Sequence, residues 1–289
     1  MNLKGLFLGF LTILIWGVTF VNTKALLVDF NSFEILFIRF ALAYAALWAI
    51  APRRFAVGSR REELGFAGMG LSGVAVYQFL ENCAIGYTNA SNVAILVSAC
   101  PMGTAILSTV ILKQKTMSGR FCLGFVLAMS GVVLVCVGGI REFHFNPLGD
   151  FLALCAMMCW SVYSVLITHA NDRHYEPILA IRRAFFWALV FMAPFVPFLC
   201  DFGGADNAAR FAKGMNWVNL CFLGFLASAL AFVLWNKTCA ALGTVRATCG
   251  LYFIPVVTAV VAFLALGESL TALTGVGAVL TILGVVLCG

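Results

Sequence analysis

The chain has 289 residues, of which 63% are hydrophobic and only 10% are charged, with a mean hydropathy of +1.03. Soluble domains average about a quarter charged residues, so this composition excludes a water-soluble globular protein. The 18 Lys and Arg exceed the 12 Asp and Glu by six, which gives a net charge of +6. The basic residues form no continuous patch in the sequence, and this argues against a nucleic-acid-binding protein.

Ten apolar runs follow one another along the chain, and each has the roughly 17 to 25 residues that a helix needs to cross a bilayer core. The runs are apolar all round, whereas strands of a membrane β-barrel alternate apolar and polar residues. We therefore predict an all-α integral membrane protein with ten transmembrane helices. In chain order the predicted spans are 3–25, 33–50, 64–84, 90–112, 120–140, 148–168, 178–200, 216–237, 245–266 and 271–288.

The first apolar run follows Lys4, an arrangement that secretory signal peptides also show. A signal peptide ends in small residues spaced for cleavage, and no such site precedes Lys24. We therefore expect this run to be the first transmembrane helix.

The positive charges predict the orientation of the chain, because Lys and Arg are enriched in cytoplasmic loops. With a cytoplasmic N-terminus, eleven of the 18 Lys and Arg fall on the cytoplasmic side and four on the outer side. We predict a multi-pass protein of the cytoplasmic (inner) membrane with both termini in the cytoplasm. Its surroundings would then be the lipid bilayer.

Eleven cysteines lie almost entirely inside the apolar runs, and no two of them have the spacing Cys-x-x-Cys. This pattern supports neither a zinc site nor a disulfide framework, so we expect no metal and no cofactor. The polar groups in the spans are scattered singly. They do not suggest a catalytic site in which a nucleophile stands beside a general base. A membrane enzyme or a receptor-like protein is therefore the weaker alternative.

The sequence contains an internal repeat. Residues 88–114 align without gaps on residues 242–268, at an offset of 154, and the alignment pairs Pro101 with Pro255. The two segments correspond to predicted spans four and nine. Five spans separate the equivalent helices, and an odd number forces the two copies to cross the membrane in opposite senses.

Earlier in each half, Trp16 pairs with Trp160 and Arg39 with Arg183, at an offset of 144. We predict two inverted five-helix repeats. Such copies, related by a pseudo-two-fold axis in the membrane plane, are a recurring plan of secondary transporters, with the substrate site near the midplane between the halves.

We place the first repeat at residues 1–143 and the second at residues 144–289. The chain contains no G-x-x-x-x-G-K-[ST] sequence, so we expect no direct coupling to ATP within this polypeptide. The expected partner is a small-molecule substrate.

Several stretches resemble the EamA-type drug/metabolite transporters, among them "ILIWGVTFVNTKALL", "FLENCAIGYTNASNVAILVSACP", "GDFLALCAMMCWSVYSVL" and "LASALAFVLWNKTCAALGTVRATCGLYFIPVVTAVVAFLALGESL". The resemblance covers essentially the whole chain and occurs twice. It implies a ten-helix exporter with the inverted-repeat fold, of the kind that bacteria use to expel amino acids, other metabolites and toxic compounds. One departure is Gln114, which stands where the family usually carries Glu at the end of span four, while the second copy keeps Glu268.

Aromatic residues inside the predicted spans are candidates for the wall of a substrate cavity, since their faces are apolar and their N–H or O–H groups can orient a ligand. The resemblance implies that the equivalents of Tyr77 and Trp160 are cavity residues. Packing against lipid and the interfacial aromatic belt are the competing explanations. The aromatic candidates are Trp16, Tyr77, Trp160, Tyr163 and Tyr252.

Ionisable residues inside spans are usually functional or paired. Glu81 lies four residues after Tyr77, on the same helical face, and is a candidate for binding a proton or a substrate ammonium. Its alternative is a carboxylate that reaches the membrane surface. Arg39 is a candidate partner for a substrate carboxylate or for Glu81, and Asn22 and Lys24 could supplement it.

Pro101 and Pro255 each remove a backbone N–H and free the carbonyls of Val97 and Leu251, respectively. Both are candidate hinges along the path between the halves, and a purely structural kink is the alternative.

The predicted function is export of small organic metabolites, chiefly amino acids or related amphipathic compounds, by alternating access. An importer of a nucleoside, vitamin or sugar derivative on the same fold is the main alternative, because a fold does not set direction or substrate. The sequence leaves proton coupling and the oligomeric state open.

Overall fold

The structure, a computed structural model, describes residues 2–87, 90–138, 146–202, 205–266 and 271–288. Within these ranges the regular secondary structure is entirely helical. Eight helical segments have the length and apolar composition needed to cross a membrane, so the prediction of an all-α multi-pass membrane protein is confirmed. These segments are Leu3–Leu26, Ser32–Ile50, Val93–Ile111, Gly119–Gly138, Pro147–Asp172, Pro177–Leu199, Gly214–Leu242 and Thr244–Val261.

The two other predicted spans, 64–84 and 271–288, are helical as well. Residues 60–87 are helical throughout, and Ala272–Cys288 is a shorter apolar helix of 17 residues. The exact count of ten transmembrane helices stays a prediction.

The helices are numbered in chain order, and two π-helical segments and two 3₁₀ turns interrupt them. The helices are α1 (Leu3–Leu26), α2 (Ser32–Ile50), α3 (Arg60–Gly70), α4 (Tyr77–Tyr87), α5 (Ala90–Val97), α6 (Cys100–Ile111), α7 (Gly119–Gly138), α8 (Pro147–Asp172), α9 (Pro177–Met192), α10 (Val196–Leu199), α11 (Ala205–Ala212), α12 (Gly214–Cys221), α13 (Ala231–Leu242), α14 (Thr244–Cys249), α15 (Phe253–Leu266) and α16 (Ala272–Cys288). The π-helical segments are Leu71–Val76 and Phe222–Leu230, and the 3₁₀ turns are Ala193–Phe195 and Gly250–Tyr252.

Several helices begin where a side chain satisfies the first free backbone N–H groups. Asn31 accepts hydrogen bonds from the start of α2, and Glu34 accepts one from the Asn31 backbone, which completes a capping box. Asn146 caps α8 in the same way, and Pro147 follows it at the first helical position, where no N–H is needed.

Helix geometry is disturbed just before each of the two repeat-related prolines. α5 ends at Val97 and α6 begins at Cys100, so the chain breaks its helix immediately before Pro101. In the second copy a 3₁₀ turn, Gly250–Tyr252, precedes the helix that carries Pro255. A proline removes one helical hydrogen bond and crowds the preceding turn, which accounts for both positions.

The two π-helical segments occupy related places in the two predicted repeats. Shifted by the repeat offset of 154, residues 71–76 correspond to residues 225–230, which lie inside the second segment, Phe222–Leu230. Each π turn contains an extra residue, so some carbonyls leave the regular bonding pattern. Hydropathy does not register this change, and the sequence did not predict it.

α7 and α16, the last helices of the two predicted repeats, pack backbone against backbone. A Cβ atom added to Gly131 would lie 2.6 Å from the carbonyl oxygen of Gly277, and one added to Gly277 would lie 2.6 Å from the carbonyl oxygen of Gly131. Small residues permit this close approach of helices in a membrane. The main hydrophobic core lies elsewhere, where α1, α2, α8, α9 and α13 meet.

Candidate functional site

Five aromatic side chains pack around Trp160, and we call these six residues together the aromatic cluster. The ring centroid of Trp160 lies 5.1 Å from Tyr77, 5.1 Å from Tyr163 and 5.6 Å from Trp16. Trp16 in turn contacts Trp235 and Phe232. The full cluster is Trp16, Tyr77, Trp160, Tyr163, Phe232 and Trp235.

Both predicted repeats contribute to the aromatic cluster. Trp16 lies on α1 and Tyr77 begins α4, while the other four residues lie on α8 and α13. Four of the nominated aromatic residues therefore meet at one place. Five of the rings are buried, and Tyr77 at the α4 edge of the cluster is partly buried.

The π-helical segment Phe222–Leu230 positions two of the nominated residues. The indole Nε1 of Trp16 donates to the carbonyl oxygen of Ala227 at 3.0 Å, and Nε of Arg39 donates to the hydroxyl of Ser228 at 3.0 Å. Ala227 and Ser228 are neighbours inside the π-helical segment. The π-helical segment thus presents a backbone carbonyl to α1 and a side-chain hydroxyl to α2.

Arg39 is a buried cation inside a membrane-spanning helix, with 8% of its surface exposed. Its guanidinium carbon lies 5.3 Å from the centre of the Phe40 ring, and its one side-chain hydrogen bond in the described structure goes to the neutral Ser228. Neither contact neutralises the charge. A charged residue in this position is costly and typically serves a substrate or ion pathway.

Glu81 is joined to the aromatic cluster through Tyr77. The Tyr77 hydroxyl donates to Oε1 of Glu81 at 3.0 Å, one helical turn away on α4, as their spacing in the sequence suggested. Both residues are half-buried. The Glu81 carboxylate therefore adjoins the aromatic cluster, and Arg39 is held by the same π-helical segment that binds Trp16 of that cluster.

Several polar atoms in and beside the cluster are buried and form no hydrogen bond within the part of the chain that the structure describes. They are Nε1 of Trp160, Nε1 of Trp235, the Tyr163 hydroxyl, and both amide atoms of Asn236. Buried polar groups normally have partners, so groups like these are suited to orienting a bound molecule. Asn236 was missed as a candidate, although the internal repeat pairs it with Asn82 and so offered a signal.

The other nominated polar residues lie near the end of the bundle where α1 ends and α2 begins. We call this the outer end, following the orientation predicted from the sequence, and the opposite end the inner end. The Asn22 amide donates to the side-chain oxygen of Asn219 at 2.8 Å, which links α1 to α12. Lys24 lies exposed in the last turn of α1.

Tyr252 is buried in a different hydrophobic cluster, packed with Phe121, Val245 and Cys249, so the structure does not bring it to Trp160. Pro101 is buried at the start of α6 beside α8, where the carbonyl of Cys100 accepts from the Ser161 hydroxyl at 3.3 Å.

Gln114 is exposed at the inner end. It lines a cavity of about 420 Å³ between the loop that follows α6 and the junction of α13 with α14. Pro255 is half-buried near the start of α15, and Glu268 lies outside the described residues.

An outer ion-pair network, formed by Asp29, Glu34, Arg210 and Lys213, was not predicted. Glu34 is 1% exposed and accepts from both terminal nitrogens of Arg210, at 2.8 and 2.9 Å. Lys213 lies 2.6 Å from Oδ1 of Asp29, and Asn216 donates to Oδ2 at 2.8 Å. The hydrogen bond from Lys213, followed by that from Asn216, holds the pKa of Asp29 below its ordinary value.

A second set of ion pairs occurs at the inner end. Arg183 lies 2.7 Å from Glu63, and Arg53 lies 3.2 Å from Glu176. These pairs join the segment around α3 to the start of α9, as the outer network joins α2 to residues 201–216. Ion pairs between the first and second halves of the chain are therefore present at both ends of the bundle.

The groups brought together here are suited to binding a ligand. Within the described residues, no group of three or more His, Cys, Asp or Glu side chains is arranged to hold a metal ion. What the site provides is a buried guanidinium, a half-buried carboxylate and aromatic faces with free N–H and O–H groups.

The EamA-like transporter family model matches residues 3–137 and again residues 147–289. The chain belongs to the EamA-like transporter family. The resemblance noted from the sequence is thus confirmed, and this EamA-like transporter carries the family pattern twice.

Individual relatives agree with that assignment. The chain is 30% identical over 291 residues to an uncharacterized transporter of Archaeoglobus fulgidus, covering 99% of this chain and 98% of the relative. It is 28% identical to a probable terminal-alkyne amino-acid exporter of Streptantibioticus cattleyicolor, over 96% of this chain and 90% of that protein. A solved crystal structure that is 17% identical superposes with a TM-score of 0.80, covering 99% of this chain and 96% of the other, and shows the same fold.

Proposed function

We propose that this EamA-like transporter is a secondary transporter that exports small organic metabolites, chiefly amino acids or related amphipathic compounds, across the cytoplasmic membrane by alternating access. The observation that carries the proposal is the placement of buried Arg39 and of the Tyr77–Glu81 pair beside the aromatic cluster, where helices of both halves meet.

The charges at this place complement a zwitterion. The Arg39 guanidinium has the planar donor geometry that carboxylates bind, and the Glu81 carboxylate attracts an ammonium group. The aromatic faces of Trp16, Tyr77 and Trp160 would hold the apolar side chain of the substrate. An amino acid presents all three features at once, whereas a neutral sugar presents none of the charges.

Alternating access requires that the contacts at one end break while those at the other end hold. At the outer end these contacts include the buried Glu34–Arg210 pair, and at the inner end the Arg183–Glu63 pair. We propose that residues 1–143 and 144–289 rock against each other as the two repeats. Pro101 and Pro255, which follow the helix distortions, would act as hinges.

The Streptantibioticus cattleyicolor relative, a probable terminal-alkyne amino-acid exporter, supports the export direction and an amino-acid substrate. With both termini in the cytoplasm, as the charge distribution predicts, the Glu81 carboxylate lies in the outer half of its span. There it could exchange a proton with the outside. We therefore include in the proposal that transport is coupled to protons through Glu81. We propose a transport function without catalysis.

Uptake into liposomes that contain the purified protein tests the substrate class. The panel would include amino acids, their amides, which lack the carboxylate, and the matching acids, which lack the ammonium. We expect the amino acids to exchange faster than in empty vesicles and both analogues to compete at least tenfold less well. Phe79→Leu changes an exposed side chain of α4 outside the aromatic cluster, and as a control variant it should transport the same compounds as the wild type. Equal competition by these analogues, each of which keeps only one of the two charges, would contradict the zwitterion site.

The direction of transport needs a separate measurement in cells. Expression of an exporter lowers the cell's content of the transported compound, whereas expression of an importer raises it. A raised content would favour the alternative, an importer of a nucleoside, vitamin or sugar derivative.

A further inference from the structure

A groove between α2 and α9 at the inner end combines arginines with aromatic side chains. It encloses about 290 Å³, and its walls include Tyr44 and Trp48 of α2 and Phe186 of α9. The rings of Tyr44 and Phe186 lie 6.3 Å apart, and the Trp48 indole donates to the Tyr44 hydroxyl at 3.0 Å. The groove therefore has a defined aromatic floor.

Three arginines line the same groove. The guanidinium carbon of Arg182 lies 4.7 Å from the centre of the Trp48 ring, and that of Arg183 lies 5.1 Å from the centre of the Phe186 ring. Arg54 is exposed at the rim. Stacking on aromatic faces holds a guanidinium in place while leaving its N–H groups free at the edges.

The charges in the groove are only partly neutralised. Arg183 is paired with Glu63 at 2.7 Å. Arg182 is buried and donates to the backbone carbonyls of Ala51 and Arg53, and in the described structure no carboxylate contacts either Arg182 or Arg54. Arg54 therefore remains for direct contact with an anionic ligand, and the buried Arg182 adds a nearby positive charge that no carboxylate of the described structure contacts.

The position of the groove identifies the class of ligand. α2 and α9 both belong to apolar membrane segments, and the groove lies at the end of those segments, where headgroups lie. Trp48 is 41% exposed and Val190, one turn farther along α9, is 40% exposed, so the apolar surface continues from the groove toward the midplane. A headgroup phosphate would meet the arginines while the acyl chains follow this surface.

We propose that the groove is a binding site for the phosphodiester headgroup of an anionic phospholipid. Because α2 and α9 belong to opposite halves of the chain, the bound lipid joins the halves at the inner end. The proposal rests on the arginines and aromatic rings of the groove and on its place at the end of the membrane segments, and it is independent of which compound is transported.

Retention of lipid by the purified protein in detergent tests the proposal. Phosphatidylglycerol is titrated against phosphatidylcholine, and bound lipid is counted by native mass spectrometry. We expect Arg54→Gln to weaken phosphatidylglycerol binding roughly fivefold, the factor that one basic residue contributes near an anionic membrane surface, and Arg182→Gln to weaken it further. Arg54 is exposed, so its replacement leaves folding unchanged. Arg61→Gln removes another exposed arginine of the same end and should bind lipid like the wild type.

Three results would overturn the proposal. Equal retention by the wild type and Arg54→Gln would remove the site. An equal loss in Arg61→Gln would indicate attraction to surface charge in general. Saturation of the effect by soluble glycerol phosphate at the same concentration would indicate a site for a free anion and not for a lipid.

Discussion

The Nε atom of Arg39 donates a hydrogen bond to the Ser228 hydroxyl at 3.0 Å, and this bond joins α2 of the first half to the π-helical segment of the second. Arg39 is thereby fixed beside the aromatic cluster without being neutralised. Its charge remains available to a substrate, and its position depends on a helical irregularity 189 residues away.

Replacement of Ser228 by Ala removes this acceptor and leaves a buried guanidinium nitrogen without its partner. We expect the free energy of unfolding to fall by about 1.5–3 kcal/mol, and substrate affinity to fall as Arg39 moves. Ser72→Ala is the control, because within the described residues the Ser72 hydroxyl bonds only to the Gly68 carbonyl one turn earlier in the chain. Thermal unfolding and counterflow of the two variants would be compared, and equal losses in both would contradict a positioning role for Ser228.

Trp160 forms the centre of the aromatic cluster, and its Nε1 has no hydrogen-bond partner within the described residues. Trp160→Phe removes that donor and part of the ring surface, so we expect the substrate concentration for half-maximal exchange to rise about tenfold. Trp217→Phe alters a half-exposed indole at the outer end and should leave this concentration unchanged. An unchanged value in Trp160→Phe would show that the substrate does not reach the cluster.

Gly73 lies in the first π-helical segment against the ring of Tyr163. A Cβ atom there would lie 2.5 Å from Cγ of that ring, which is rigid and fully buried. Gly73→Ala should therefore lower the free energy of unfolding by about 1–3 kcal/mol. At Gly65 a Cβ atom would meet nothing within 4 Å, and Gly65→Ala should be neutral or stabilising by about 0.5–1 kcal/mol. Denaturation in detergent measures both, and a neutral Gly73→Ala would mean that the first π-helical segment and α8 are less closely packed.

The buried Glu34–Arg210 pair should stabilise the closed outer end. Glu34→Gln leaves Arg210 without its ion-pair partner, and we expect a loss of about 3–5 kcal/mol in stability together with a larger population open to the outside. Arg53→Gln, which breaks the exposed Arg53–Glu176 pair at the inner end, should cost only about 0–1 kcal/mol. Thermal unfolding of both variants measures the loss of stability. The reactivity of cysteines at the outer end toward membrane-impermeant reagents measures the population of Glu34→Gln that is open to the outside. Equal stability losses in both variants would contradict the assignment.

Asp29 should not control transport near neutral pH. The lowered pKa of its carboxyl means that its contribution to stability is fully present above the ordinary pKa and is lost only as the pH falls through the lowered value. Between pH 5 and 8 Asp29 stays ionised. We therefore expect Asp29→Asn to keep the pH profile of the wild type in that range, and counterflow over the same pH series checks it. A flattened profile would show that the outer network titrates.

The sequence predicted the apolar helices, the repeat and the family because these depend on composition and spacing along one segment. It also predicted the Tyr77–Glu81 relationship, since four residues on a helix share a face. Four of the five aromatic residues chosen as candidates meet in the aromatic cluster. Tyr252 packs elsewhere, because the 3₁₀ turn that contains it contacts α7 and α16. Hydropathy indicates that a helix is buried but not which neighbour its face will meet.

The outer ion-pair network could not be predicted, because Glu34 and Arg210 are 176 residues apart. In the sequence Glu34 stands at the very start of a predicted span and Arg210 lies in a predicted loop, and neither position indicates a partner. The π-helical segments were missed for a different reason. An extra residue in one turn changes the direction of carbonyls and side chains while leaving the apolar composition the same. Ser228 gains its role only through that change of direction.

The central claim is that Arg39, Glu81 and the aromatic cluster bind a zwitterionic substrate for transport. Counterflow of radiolabelled amino acids in proteoliposomes at several pH values, with the intact protein and with Glu81→Gln, tests it most directly. We predict exchange faster than in empty vesicles, with a pH dependence that disappears in Glu81→Gln. Exchange no faster than in empty vesicles across the amino acids would contradict the account, and a pH profile unchanged by Glu81→Gln would make Glu81 a structural acid.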